Sequence, residues 1–254
     1  MHFGLFVIGA EILSGKRRDK HLSKVIELLA TRGLRLSWAQ MLGDDEVQLA
    51  KAIRATRASD SIVLSCGGIG ATPDDKTRQA AAQAFDVPLT RHIEAERLIV
   101  DQYGDAARPN RVLMADFPLG AGLIPNPVNR VAGFFVEQHH FVPGFPEMAW
   151  PMLEWVLDTR YAHLHNTSPP VEFSLRTLGT AAEGDLLHLM QGVLAAFPGL
   201  EFSSLPSRGD AQRPRHIEFG FKGEASLAAA AYRWFRLRID KEPGINLEEI
   251  KSPD

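Results

Sequence analysis

Ser61-Ile62-Val63-Leu64-Ser65-Cys66-Gly67-Gly68-Ile69-Gly70-Ala71-Thr72-Pro73-Asp74-Asp75 is the stretch on which the fold turns. Its first half is a short apolar run rich in β-branched residues and reads as a buried strand. The strand runs straight into a glycine loop. Gly67, Gly68 and Gly70 let the backbone turn tightly and let successive N–H groups point into one concavity. Thr72 stands where it can cap a following helix, and Pro73 suits that helix's first turn. The positive end of the helix then faces an anion. A plain tight turn before a capped helix explains a lone Gly-Gly-x-Gly equally well. The addition of Thr72, Asp74, Asp75 and Thr77 at fixed offsets favours a loop that holds a phosphate-bearing ligand.

Upstream, Phe3–Ile8 reads as a buried strand ending at Gly9. Asp19 looks like the N-cap of a helix carrying Leu22, Val25, Ile26 and Leu29 at helical spacing, closed by Gly33. Residues 34–41 are a second strand, and Gly43-Asp44-Asp45 opens a second helix. This β-α-β-α-β order predicts an α/β protein with a mostly parallel sheet and helices on both faces. Ligands bind such sheets outside the carboxyl ends of the strands, which is where Gly9-Ala10-Glu11, Gly43-Asp44 and the glycine loop fall. Downstream, helices are expected over 75–85 and 93–103. Residues 108–131, rich in Pro, Gly and Asn, read as loop. Residues 134–142 read as a hairpin ending at Pro143-Gly144-Phe145-Pro146-Glu147, and a Trp-bearing helix follows.

Asn166-Thr167-Ser168-Pro169-Pro170 has the composition of a linker. It separates an expected first domain, residues 1–165, from a small α+β domain, residues 170–242, read as strand, helix, two strands and helix. The tail from Pro243 is polar and reads as loosely held.

Composition narrows the function. Among 254 residues, 45% are hydrophobic and the formal net charge is −3, so nothing pulls the whole chain toward nucleic acid or an anionic membrane. The single cysteine excludes an intrachain disulfide and a multi-thiolate zinc site. No secretory signal and no membrane-spanning stretch are visible, so the expected location is the cytoplasm.

The acidic residues carry the chemistry. Thr72-x-x-Asp75 matches a capping box, so Asp75 has a structural reading. A carboxylate beside a phosphate also repels it unless a cation lies between, and Mg2+ or another hard divalent ion shared with phosphate oxygens resolves that conflict. Asp44 reads most simply as an N-cap. Glu11 suits a metal or ligand contact or a turn cap. Glu147 is favourable near a helix N-terminus with or without a ligand. His139 and His140, adjacent in a strand, point to opposite faces and make a poor metal pair. Cys66 reads as packing, and Lys16-Arg17-Arg18 as a solvated loop within reach of phosphates at the same sheet edge.

Four ordered blocks carry a resemblance: Gly9-x-Glu11-Ile12-Leu13-x-Gly15; Gly43-Asp44; Gly67-Gly68-x-Gly70-x-Thr72-x-Asp74-Asp75-x-Thr77; and Pro143-Gly144-x-Pro146-Glu147-Met148. Over residues 3–160 the chain resembles the molybdenum-cofactor biosynthesis (MoaB/Mog) domain, in the branch that begins competence/damage-inducible protein A (CinA). A related domain begins eukaryotic FAD synthases. The resemblance implies a three-layer α/β/α domain that binds molybdopterin or an adenine nucleotide at this sheet edge, and a homo-oligomer, dimer or trimer. By motif position it makes Asp44 and Asp75 the catalytic aspartates, with Asp75 on the metal. It implies ligand contacts from Gly9, Glu11, Gly67, Gly68, Gly70, Thr72, Asp74, Thr77, Pro143, Gly144, Pro146 and Glu147. In the CinA branch it also implies a divalent-metal-dependent pyrophosphatase acting on ADP-ribose, FAD or a related dinucleotide. The second domain resembles the KH-like module of that branch but lacks a Gly-x-x-Gly loop, so nucleic acid is not the expected partner, although Arg208, Arg213 and Arg215 supply some charge. No amidase domain follows, so deamidation is not expected. Ala10, His21, Ala71 and Phe145 depart from the family pattern, and Ala10 removes one polar contact. The expected function is therefore binding of a pterin or nucleotide, with pyrophosphatase chemistry as the alternative and RNA binding through the second domain below both.

Overall fold

Strand β1 (His2–Ile8) alternates Phe6 and Ile8 to one side with Phe3, Leu5 and Val7 to the other, and all five are buried. A strand apolar on both faces needs cover on both. A computed structural model, describing residues 2–179, 182–209 and 214–249, shows how that cover is built. The chain continues through α1 (Ala10–Leu13), α2 (His21–Ala30), β2 (Leu36–Leu42), α3 (Glu46–Arg57), β3 (Ser61–Cys66) and α4 (Thr77–Ala84). Then come β4 (Leu89–Arg91), α5 (Ile93–Tyr103), β5 (Asp116–Pro118), β6 (Gly122–Ile124), β7 (Gly133–Val136), β8 (His139–Val142) and α6 (Pro146–Arg160).

Six strands form one sheet in the order β2-β1-β3-β8-β7-β6. The β2/β1, β1/β3 and β3/β8 pairs are parallel, and β7 pairs antiparallel with both β8 and β6. Helices α3, α4 and α5 pack Leu49, Ile53, Ala81 and Ile99 against one face. Helices α2 and α6 pack Val25, Leu29, Met152 and Val156 against the other. The result is a three-layer α/β/α fold. Because β1, β2, β3 and β8 run in the same direction, the residues that follow them gather along one edge.

Local signals act at most helix ends. Asp19 accepts from the N–H groups of His21 (2.8 Å) and Leu22 (3.0 Å) at the start of α2. Gly33, at φ 64°, ends the following turn. Two expectations need correction. Asp45, not Asp44, caps α3 by accepting from Gln48 N–H at 2.8 Å. Residues 108–131 are not plain loop: a 3-10 turn (Arg111–Ala115) precedes β5 and β6. These strands are three residues each, too short to show alternation, and their pairing partners lie elsewhere in the chain.

The chain divides between Thr167 and Ser168 into two units. The second contains β9 (Val171–Gly179), α7 (Leu187–Ala196), β10 (Glu201–Ser207), β11 (His216–Gly223), α8 (Ala225–Ile239) and β12 (Ile245–Glu249). Its antiparallel sheet has the order β10-β11-β9-β12, and a core of Phe219, Phe221 and Phe235 joins the sheet to its helices. The tail expected to be loose is instead strand β12, paired with β9. Ile245 and Leu247, two apart, both pack onto this core and hold it there. Arg213 lies outside the described residues.

Candidate functional site

The glycine loop between β3 and α4 is tied back through one N–H and the carbonyls of Gly67, Gly68 and Gly70. Gly67 N–H continues the sheet to Val142 O at 3.0 Å. The Thr77 hydroxyl donates to Gly67 O at 3.0 Å, Thr77 N–H donates to Gly68 O at 3.0 Å, and Arg78 donates to Gly70 O at 2.6 Å. In a planar trans peptide the N–H points opposite to the C=O of the same unit. Carbonyls drawn toward α4 therefore turn the N–H groups of Gly68, Ile69 and Ala71 the other way. None of these three has an acceptor among the described residues, and all three residues line a cleft of about 440 Å³. Glycine is required here: Gly67 and Gly68 have φ of 113° and 70°, and a Cβ at Gly67 would run into the Ile8 carbonyl.

This geometry revises two expectations. Thr77 does not face the cleft; it is fully buried behind the loop and acts on the loop carbonyls. Thr72 and Pro73 do not begin the helix. Asp75 accepts from Thr72 N–H (2.9 Å) and the Thr72 hydroxyl (2.6 Å), so the capping-box contacts form. They close a turn ahead of α4, which starts at Thr77 because Thr77 N–H is taken by Gly68 O.

Glu11, Asp44, Asp74 and Asp75 all line the cleft, as do Gly9, Gly70 and Thr72, while Arg17 supplies the lining's positive charge. Asp44 accepts from Ala10 N–H at 2.8 Å. Burial pushes its carboxyl above the usual range against the pull of that N–H, and the charges of Glu11, Asp74 and Asp75 push it further. Ala10 thus contributes its backbone to the acidic wall. Among the described residues, no three His, Cys, Asp or Glu side chains are grouped to hold a metal by themselves. The hard oxygen donors suit Mg2+, but only as a shared ion completed by ligand oxygens.

Pro143 and Gly144 line the cleft after β8, and Gly144 O lies 3.1 Å from His21 Nε2. Pro146 and Glu147 do not line it; Pro146 begins α6 and Glu147 is exposed in its first turn. Part of the cleft lining gives no signal in the sequence as part of a site. Tyr103, Met114, Val131 and Met148, with Asn126 and Asn129, complete the lining beside Ile69 of the loop and Phe145. Asn126 donates to Asn129 Oδ1 (2.8 Å) and Val131 O (3.1 Å), so these side chains build the wall. The Asn126-Pro127 turn was the available signal. His139 contacts Thr56 on one face of the sheet, and His140 contacts Val63, Arg160 and Tyr161. Cys66 is buried, which pushes its thiol up and leaves it unsuited to nucleophilic work.

The site can be set beside known proteins. A family model described as "Probable molybdopterin binding domain" matches residues 4–163. The chain belongs to that family. Within it the relatives are CinA-like. A CinA-like protein of Syntrophus aciditrophicus is 34% identical over 137 residues, 53% of this chain and 33% of its own length. A CinA-like protein of Syntrophotalea carbinolica is 27% identical over 215 residues, 80% of this chain and 52% of its own. The molybdopterin-binding-type chain thus spans a third to a half of these curated relatives. A solved structure titled as the protein CinA with unknown function, from Thermoplasma acidophilum, is 25% identical with a TM-score of 0.57. It covers 62% of this chain and 98% of its own. The fold and the CinA-like MoaB/Mog family are therefore as the motif blocks implied. No helix among the described residues is long and apolar enough to cross a membrane.

Proposed function

We propose that the cleft binds a phosphate-bearing pterin or adenine nucleotide, with the phosphate on the glycine loop and the ring toward Tyr103, Met114 and Met148. One observation carries this reading: the N–H groups of Gly68, Ile69 and Ala71 have no acceptor among the described residues and are turned away from α4 by Thr77 and Arg78. Such a nest of N–H groups suits an anion. The test is thermal shift and calorimetry with molybdopterin, AMP and ADP-ribose. A ligand selective for the native state raises its melting temperature. No shift with any of the three ends the reading.

A second reading, a divalent-metal-dependent pyrophosphatase acting on ADP-ribose, FAD or a related dinucleotide, is favoured by the acidic wall. A diphosphate beside four carboxylates is repelled unless a cation is shared between them. In this reading Asp75 and Asp44, with Glu11, would share Mg2+ with phosphate oxygens. Bound there, the ion would polarise phosphorus and activate water. AMP release from ADP-ribose that needs Mg2+ and is lost in Asp75→Ala supports this reading; no release, or equal release from the variant, refutes it.

RNA binding through the second unit gains no support from its sheet. Glu172, Glu218 and Glu248 stand on β9, β11 and β12, and Arg176 is held by Glu218 (3.2 Å) and Glu248 (3.1 Å).

A further inference from the structure

Arg78 is the only Asp, Glu, Lys or Arg side chain buried among the described residues, at 4% exposure. Burying a charge is costly unless specific partners compensate it. Here the partners are backbone carbonyls. The guanidinium donates to Gly70 O at 2.6 Å, to Leu113 O, and to Asp116 O at 3.2 Å. The carboxylate of Asp116 is engaged elsewhere, by Arg91 Nε at 2.5 Å. Arg78 therefore has no carboxylate in hydrogen-bond contact, and its Nε has no partner at all. Burial draws its pKa down, while the more distant charges of Asp116 and Asp75 hold it up, and an arginine stays charged regardless.

This positive charge lies directly behind the glycine loop. Gly70 C=O and Ala71 N–H belong to one peptide unit. A guanidinium on the carbonyl fixes that unit and polarises the N–H opposite, which lines the cleft. The same side chain reaches the carbonyls on either side of Met114, another cleft-lining residue. A neutral side chain would suffice to tie two backbone segments together. What only a cation adds is attraction for an anion in a cleft whose other charges are mostly acidic.

We infer that Arg78 is the positioning residue that gives this cleft its preference for a phosphate: it aims Ala71 N–H at the cleft and offsets the acidic wall from behind. The inference rests on the binding reading above and deepens it. The experiment compares calorimetric affinities for AMP and adenosine, with molybdopterin and its dephosphorylated form as a second pair. Wild type, Arg78→Met and Arg78→Lys are measured. Wild type is expected to favour the phosphorylated member. Arg78→Met is expected to lose about tenfold or more of that preference while its affinity for the unphosphorylated member holds. Arg78→Lys, which keeps the charge, is expected to keep most of the preference even if it melts earlier. A purely structural role predicts that both members weaken together in Arg78→Met, and that result overturns the inference. If Arg78→Met does not fold, Arg78→Lys decides: a preference retained at a lowered melting temperature supports the inference, and a preference lost overturns it. A wild type that binds no member of either pair overturns the binding reading itself, and this inference falls with it.

Discussion

Thr77→Val tests whether the loop carbonyls are held from behind. The substitution keeps the branched shape and removes the hydroxyl that donates to Gly67 O at 3.0 Å. Thr77 is fully buried and Gly67 is buried above it, so water does not replace the lost donor and that carbonyl is left without one. A buried acceptor stranded this way costs about 1–3 kcal/mol. In a unit of this size each kcal/mol lowers the melting temperature by roughly 2–4 °C, so a fall of about 5 °C is expected. The Gly67–Gly68 peptide also loses its anchor, and Gly68 N–H is no longer aimed. Loss of one hydrogen bond to a charged ligand, about 1.5–3 kcal/mol, predicts about tenfold or more weaker AMP binding. Differential scanning fluorimetry reads the first effect and isothermal titration the second, and Thr77→Ser should restore both. A lowered melting temperature with AMP affinity unchanged would refute the reasoning, because the hydroxyl would then support the fold without orienting the loop.

Acid should destabilise the first unit through two buried histidines. Burial holds His139 at about 4 and His140 at about 3, against an ordinary value of 6.5. Their pKa values are depressed, so stability is full above pH 6.5 and falls as pH drops toward these values. At about 1.4 kcal/mol per pH unit for each group, both together cost about 4 kcal/mol at pH 5. Urea titrations at pH 7 and pH 5 measure this, and equal midpoints would contradict it. Asp44→Asn should leave the Ala10 contact in place and remove the charge whose burial, with repulsion from Glu11, Asp74 and Asp75, raises the Asp44 carboxyl. Because that pKa is raised, the wild type loses stability as pH rises through it, and the variant should lack this fall in a melting-temperature series over acid pH. The same variant should weaken Mg2+-dependent ADP-ribose binding while leaving metal-free AMP binding intact; a Mg2+ response equal to wild type would remove Asp44 from the cation site. Gly68→Ala should abolish AMP binding, since φ is 70° and the added Cβ meets the Thr77 hydroxyl; wild-type affinity in that variant would mean the loop is not the site.

The sheet was legible where one apolar run carried a whole strand. Ser61–Cys66 is buried along its length and reads so from composition alone. Asp19 and Gly33 were legible because capping and left-handed turns select particular residue types. The tandem Asp44-Asp45 defeated the same logic: either could cap α3, and only the bonds of Asp45 to Gln48 N–H and of Asp44 to Ala10 N–H tell the two roles apart. Strands β5 and β6 escaped because three residues carry no period. Strand β12 escaped because its two apolar residues alternate with Asn246 and Glu248, so its polar face was read as the whole segment.

The site divides along the same line. Residue types that glycine geometry or carboxylate chemistry demands were visible, and the cleft contains Gly9, Glu11, Asp44, the loop glycines, Asp74, Asp75, Pro143 and Gly144. What sequence could not supply was how the loop proposed to hold an anion is supported from behind. It pointed to the end of a helix opening at Thr72. Helix α4 instead starts at Thr77, and its first N–H is consumed inside the loop. Of the two contacts expected for the phosphate, loop peptides and helix end, the proposal keeps the loop peptides, and the helix contributes by holding them through Thr77 and Arg78. An arginine in an alanine-rich helical stretch reads as a solvated side chain. Only burial shows that it faces inward, where its charge acts on the back of the loop rather than on solvent.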